Sequence, residues 1–138
     1  MRASGLFSPW ALVVLLLSAC ASAPTWEGMS EDEISGWRGM NIEAAEAQAY
    51  RKAGLDRDAV AEWRQVGLVA SDRILAWNES GWTPDSAAPW LQQKFDLDSA
   101  VTWAKEKFTA DQARDWVDAG FSLEEAIENR AKGLQPVT

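Results

Sequence analysis

The sequence predicts an all-α protein, an array of about eight short helices that is either solenoid-like or a compact helical repeat, behind an N-terminal signal helix. Three observations predict it. Large aromatic residues recur on a fixed beat at Trp37, Tyr50, Trp63, Trp77, Trp90, Trp103 and Trp116, 13 residues apart except for the 14 between Trp63 and Trp77. Four residues after the beat stands a glycine (Gly54, Gly67, Gly81, Gly120, Gly133) or a lysine (Lys94, Lys107), followed at once by an apolar residue. Seven residues before the beat most units carry a helix-capping residue: Ser30, Asp56, Thr83, Asp96, Thr109 or Ser122. Asn129 continues the register in a degenerate last unit.

Residues 1–19 read as a secretion signal. Arg2 is the only charge among the first 26 residues, and Ala11 to Ala19 is an unbroken run of apolar and small residues. That run is too short to cross a hydrocarbon core about 30 Å thick as a permanent helix. The signal closes on Leu17-Ser18-Ala19-Cys20, which resembles the lipobox of bacterial lipoproteins, and Cys20 is the only cysteine in the chain. The resemblance implies cleavage before Cys20, a thioether diacylglycerol on its sulfur and usually a third acyl chain (palmitate-like) on the new amino terminus. Each buried methylene contributes about 0.8 kcal/mol, so two or three chains hold a protein stably on a membrane. With Ala21 rather than aspartate next to the cysteine, the resemblance also implies the periplasmic face of the outer membrane in a Gram-negative envelope. Residues 20–29 then form a lipidated tether, 30–134 the repeat domain and 135–138 a tail.

One repeat unit is legible from end to end. In Phe121-Ser122-Leu123-Glu124-Glu125-Ala126, Ser122 can accept from a free amide of the first turn while Glu125 reaches back, a capping box. Ser30 with Glu33 and Thr109 with Gln112 repeat this pattern, and Pro84 after Thr83 suits the first helical position. At the other end, Gly120 can adopt the left-handed conformation of a Schellman closure, which brings Phe121 onto Trp116. Each unit therefore encodes a helix of about nine residues and a linker of about four. Helices this short are unstable alone, so their indoles must be sheltered by neighbouring units. Two units make a helical hairpin of 26 residues.

The repeat breaks in three places. An extra residue falls within Leu68 to Ser71. Pro89 sits at the sixth position of its helix, where a missing amide and a ring clash cost about 3 kcal/mol and predict a kink or a fresh start near Ala88. Lys94 and Lys107 replace the closing glycine at a cost of about 1 kcal/mol each. With Lys105 they form a candidate basic patch, or else complement the carbonyl ends of their helices.

Composition narrows the function. The formal charge of −8 argues against a nucleic-acid partner. Histidine is absent, removing the commonest general base and metal ligand, and no motif points to a metal or a cofactor. Glu124 and Glu125 sit together but in a first helical turn, where acidic residues are favoured without catalysis. No catalytic residue is selected. The expectation is a non-enzymatic envelope lipoprotein whose array is an interaction module for a protein or peptide, with Trp26, Pro89, Lys94, Lys105 and Lys107 as candidate interaction residues. Trp26, ahead of the repeats, is the ring expected to be most exposed. A glycan- or peptidoglycan-binding protein with exposed indoles is the alternative, and a small cell-wall hydrolase or its regulator the third.

Overall fold

The array forms as the beat requires. The computed structural model describes residues 24–137; the signal and Cys20, on which the anchoring expectation falls, lie outside the described residues. Eight helices follow one another: α1 (Glu31–Gly39), α2 (Ala44–Lys52), α3 (Arg57–Gln65), α4 (Ser71–Glu79), α5 (Pro84–Gln92), α6 (Leu97–Lys105), α7 (Ala110–Asp118) and α8 (Leu123–Ala131). No strand occurs among the described residues.

Local chemistry starts and stops each helix. The side chains of Ser30, Asp56, Thr83, Asp96, Thr109 and Ser122 all accept from the third helical amide, satisfying a donor that the helix leaves free. Capping boxes stand at Ser30, Thr109 and Ser122 as expected, and a further one joins Thr83 to Ser86. At α2 the Glu46 carboxylate accepts from the Glu43 amide at 3.3 Å, and Ala70 leaves α4 without a side-chain cap. Every helix then ends in the same two bonds. In α7 the Gly120 amide donates to the Val117 carbonyl and the Phe121 amide to the Trp116 carbonyl, both at 2.9 Å. Lys94 (φ 62°) and Lys107 (φ 66°) take the left-handed position despite their side chains. So does Asn41 (φ 56°), the closing residue of α1, which the glycine pattern had not included; its short polar side chain tolerates that conformation.

These closures build the core. The apolar residue after each left-handed position folds onto its own helix's aromatic, with Trp90–Phe95, Trp103–Phe108 and Trp116–Phe121 meeting edge to face at 5.0–5.3 Å. All seven beat aromatics are buried. From the second unit on, the residues three before the beat, Ala47, Val60, Ile74, Ala87, Ala100, Ala113 and Ala126, are each 0% exposed, while Ile34 in the first unit is half-buried. Small and large side chains thus alternate along one continuous cluster. At about 25 cal/mol per Å² and roughly 200 Å² per ring, each buried indole contributes about 5 kcal/mol before entropy is subtracted. The array is compact, and α7 packs on α5 as well as on its sequence neighbours α6 and α8.

Two expectations are corrected. Helix α5 neither stops nor restarts at Pro89; it runs unbroken from Pro84 to Gln92. Asp85, whose carbonyl loses its donor, and Pro89 itself are both exposed, so water can replace the lost bond and the ring meets no neighbouring helix. Trp26 is not a free ring. It is half-buried against the core, with the Arg38 guanidinium 5.3 Å from its centroid, because the first helix would otherwise leave its outer face bare. Trp82 is covered to a similar degree, so no row of open indoles lies along the array. The extra residue lies where expected. Leu68 still closes α3 onto Trp63, which leaves Val69, 67% exposed, and Ala70 to absorb the added length.

Candidate functional site

Contacts between alternate helices define the candidate site. The column one residue after the beat reads Arg38, Arg51, Arg64, Asn78, Leu91, Ala104, Val117 and Arg130. Two of its four arginines, Arg64 and Arg130, act as clasps that reach back two units. Arg64 on α3 donates to the carbonyl of Met40, which ends α1, at 2.8 Å. Arg130 on α8 donates to the carbonyl of Glu106, which ends α6, at 2.8 Å. Arg51 on α2 donates to Gly28, ahead of α1, at 2.9 Å. Where Val117 occupies the column, Arg114 substitutes by donating to Gln93, the end of α5. The last carbonyls of a helix lack internal donors and carry its negative pole, so a guanidinium there meets both needs. Two of these arginines also cover the closing phenylalanine of the older helix: Arg130 lies 3.8 Å from the Phe108 centroid and Arg114 4.6 Å from that of Phe95. A related contact explains Gly36, since the Arg57 guanidinium of α3 occupies the space where a β-carbon on α1 would project.

The clasp lapses in the middle of the array. On α5 the column holds Leu91, and the carbonyl it would have engaged is that of Val66, which ends α3. Val66, Gly67 and Leu91 line a groove of about 430 Å³ at that point, with Phe95 as apolar floor and Arg73 and Lys94 contributing cations. The volume falls in the range of about 300–1,000 Å³ typical of ligand pockets. Asp96 is also in the lining, but its carboxylate is committed as the cap of α6, accepting from the Ser99 amide at 2.8 Å. That amide holds Asp96 below the usual carboxylate range.

Of the three breaks in the repeat, one lines the groove, Lys94 at the close of α5; Gly67 and Arg73, on either side of the lengthened α3–α4 linker, share the lining with it. Lys105 and Lys107 are exposed and do not line it, nor does Pro89, although it shares α5 with Leu91. Trp26 lies at the other end of the chain, beneath Arg38. Sequence reasoning passed over Arg73, Leu91 and Val66. The available signal was the column after the beat, whose arginine is lost from the fourth unit to the seventh.

A second groove of about 340 Å³ lies near the first helices, lined by Trp37, Leu55, Arg51 and Arg57 among others. Both of those arginines already serve as contacts to older units. The acidic groups are likewise engaged in folding. The Ser30 amide holds Glu33, and the Ser122 amide holds Glu125, below the usual carboxylate range, so both remain charged caps at neutral pH. No group of three or more metal-ligating side chains occurs among the described residues.

One buried polar group stands apart. Tyr50, the sole tyrosine, takes the place of an indole, stacks on Trp37 at 5.8 Å and is 0% exposed. Its hydroxyl has no hydrogen-bond partner. Burial, reinforced by the Glu46 charge, pushes the phenol up; the nearby Ser71 hydroxyl pulls weakly the other way without forming a bond of normal geometry. Burial penalises the phenolate and leaves the neutral form in place, so the fold loses stability as pH rises above the unfolded value of about 10 toward the folded value. Tyr50→Phe is therefore expected to hold or raise stability at neutral pH, by up to about 1 kcal/mol. It should also lessen the loss of helicity above about pH 10. Denaturant melts followed by circular dichroism at both pH values check this, and equal alkaline loss in the two proteins contradicts it.

The fold and the groove define a class: an all-helical array of capped nine-residue units, clasped between alternate helices and open at its centre. No protein-family model, no curated protein and no solved structure matches the chain.

Proposed function

We propose that this chain is a membrane-anchored envelope lipoprotein, lipidated on Cys20, whose helical array is a non-enzymatic interaction module for a protein or peptide. The observation that carries the second half is the groove beside Leu91, which lies in the stretch where the column has lost its arginines, between clasped units at Arg64 and Arg130. A rigid frame with a local opening suits recognition by shape and a few contacts. The acidic side chains nearest to catalytic pairs serve as helix caps, which supports the reading without an enzyme. The burial of the beat indoles favours a protein or peptide ligand over a glycan stacked on a row of rings.

The anchoring half rests on Leu17-Ser18-Ala19-Cys20. No helix among the described residues is long and apolar enough to cross a membrane, so membrane attachment falls to the lipid. Cys20→Ala is expected to abolish incorporation of labelled palmitate and to move the protein from the membrane pellet to the soluble fraction. Palmitate uptake by the variant defeats the anchor assignment. Crosslinking in envelopes of the native host, with the same variant as control, tests for a partner of the anchored form.

A further inference from the structure

The groove's lining assigns a chemical class to what it holds. We infer that the opening between the ends of α3 and α5 takes an acidic peptide segment, its carboxylates on Arg73 and Lys94 and an apolar side chain on Leu91 and Phe95. The inference rests on the interaction-module reading above and names its ligand.

Three observations converge. First, the space is one that a guanidinium spans wherever the clasp is made. In units three and eight the arginine of the column lies across to the older helix's last carbonyl. Leu91 is too short and too apolar to do so, and the carbonyl end at Val66 borders the groove. An extended peptide can place an amide hydrogen there and an apolar side chain where the arginine's methylene stem would lie. Second, two cations, Arg73 and Lys94, stand against one carboxylate, Asp96, in one opening of an acidic protein, and that carboxylate is held as a helix cap by the Ser99 amide. The local charge is thus opposite to that of the whole molecule. Third, Lys94 is held in left-handed geometry (φ 62°) at a position where most units use glycine. That position puts a cationic residue on the lining where the glycine of most units would put none.

Long-range and local electrostatics make opposite predictions, which gives the test its discrimination. With its formal charge of −8 the protein as a whole attracts a basic peptide, whereas the groove selects an acidic one. The probes are two labelled octapeptides, one alternating glutamate with leucine and the other lysine with leucine. They are titrated by fluorescence anisotropy into the full-length chain in detergent micelles. The glutamate peptide is expected to bind and the lysine peptide to bind at least about tenfold more weakly. Leu91→Arg restores the missing clasp, fills the groove and is expected to lower affinity for the glutamate peptide about tenfold or more. Lys94→Gly is the second variant. It relieves the left-handed strain, so it should melt at a higher denaturant concentration than wild type while binding less tightly.

Equal or tighter binding of the lysine peptide overturns the inference, as does unchanged affinity in both variants. Displacement of the glutamate peptide by an equal concentration of inorganic phosphate shows a small-anion site and also overturns it. The wider reading fails separately. If envelope crosslinking yields a partner that Leu91→Arg does not release, the module stands and only this groove's role falls. If the anchored wild type crosslinks to nothing, the module reading itself falls.

Discussion

Replacing Trp77 by alanine is expected to destabilise the whole array rather than loosen one helix. Trp77 is 1% exposed and meets Trp82 edge to face at 5.2 Å, and Ile74 beside it in the register is 0% exposed. Truncating a buried indole costs about 3–5 kcal/mol once the cavity is included, against a total stability on the order of 5–15 kcal/mol for a domain. Helix α4 is also the weakest start in the array, having no side-chain cap at Ala70. A nine-residue helix has no stability of its own to fall back on, so the loss passes to the neighbours that shelter it. Guanidinium melts followed by circular dichroism should show a single transition at a much lower midpoint. If one-eighth or so of the helical signal disappears and the remainder melts where the wild type does, the units are independent and mutual shelter is wrong.

Arg114→Met should cost about 2–4 kcal/mol although the residue lies near the surface. Methionine keeps the apolar stem but loses a charged donor to the Gln93 carbonyl, worth about 1.5–3 kcal/mol. It also loses the cation 4.6 Å from the Phe95 centroid, worth about 0.5–1 kcal/mol at an exposed site. The ion pair with Asp118 at 3.3 Å is exposed on the acidic side and contributes little. Asp118→Asn is accordingly expected to change stability by less than about 0.5 kcal/mol. Equal effects of the two substitutions in denaturant melts would reduce the clasp between alternate helices to an ordinary surface contact.

The difference between these two predictions marks how far the chain could be read. That Trp77 is core follows from its place on the beat, which the sequence displays. That Arg114 is a clasp does not, because it stands two residues before the beat and only substitutes for the column that Val117 vacates. The groove was partly legible in the same sense. Lys94 stood out as a departure from the repeat, but nothing in its spacing said that it shares a groove with Gly67 and Arg73. Lys105 looked like Lys94's companion by proximity along the chain, whereas Arg73, 21 positions away from Lys94, is the cation that shares the groove. The fresh start that Pro89 suggested near Ala88 does not occur, and the helix continues where Asp85 and Pro89 are both exposed to water.

The sequence by itself determined everything decided within about one unit. Side chains cap amides three residues ahead, left-handed residues close the helix behind them, and the next apolar residue folds onto the aromatic five positions earlier. Those interactions have partners a few residues apart, so spacing alone specifies them and fixes eight helices of nine residues. Only the tertiary structure decided which helix lies on which. The Arg64–Met40 and Arg130–Glu106 bonds each join residues 24 apart, and the covering of Trp26 and the opening beside Leu91 depend on the same stacking. The physical reason is that stacking is set by the summed volumes of buried side chains from several units, and such a sum is not carried by any one motif.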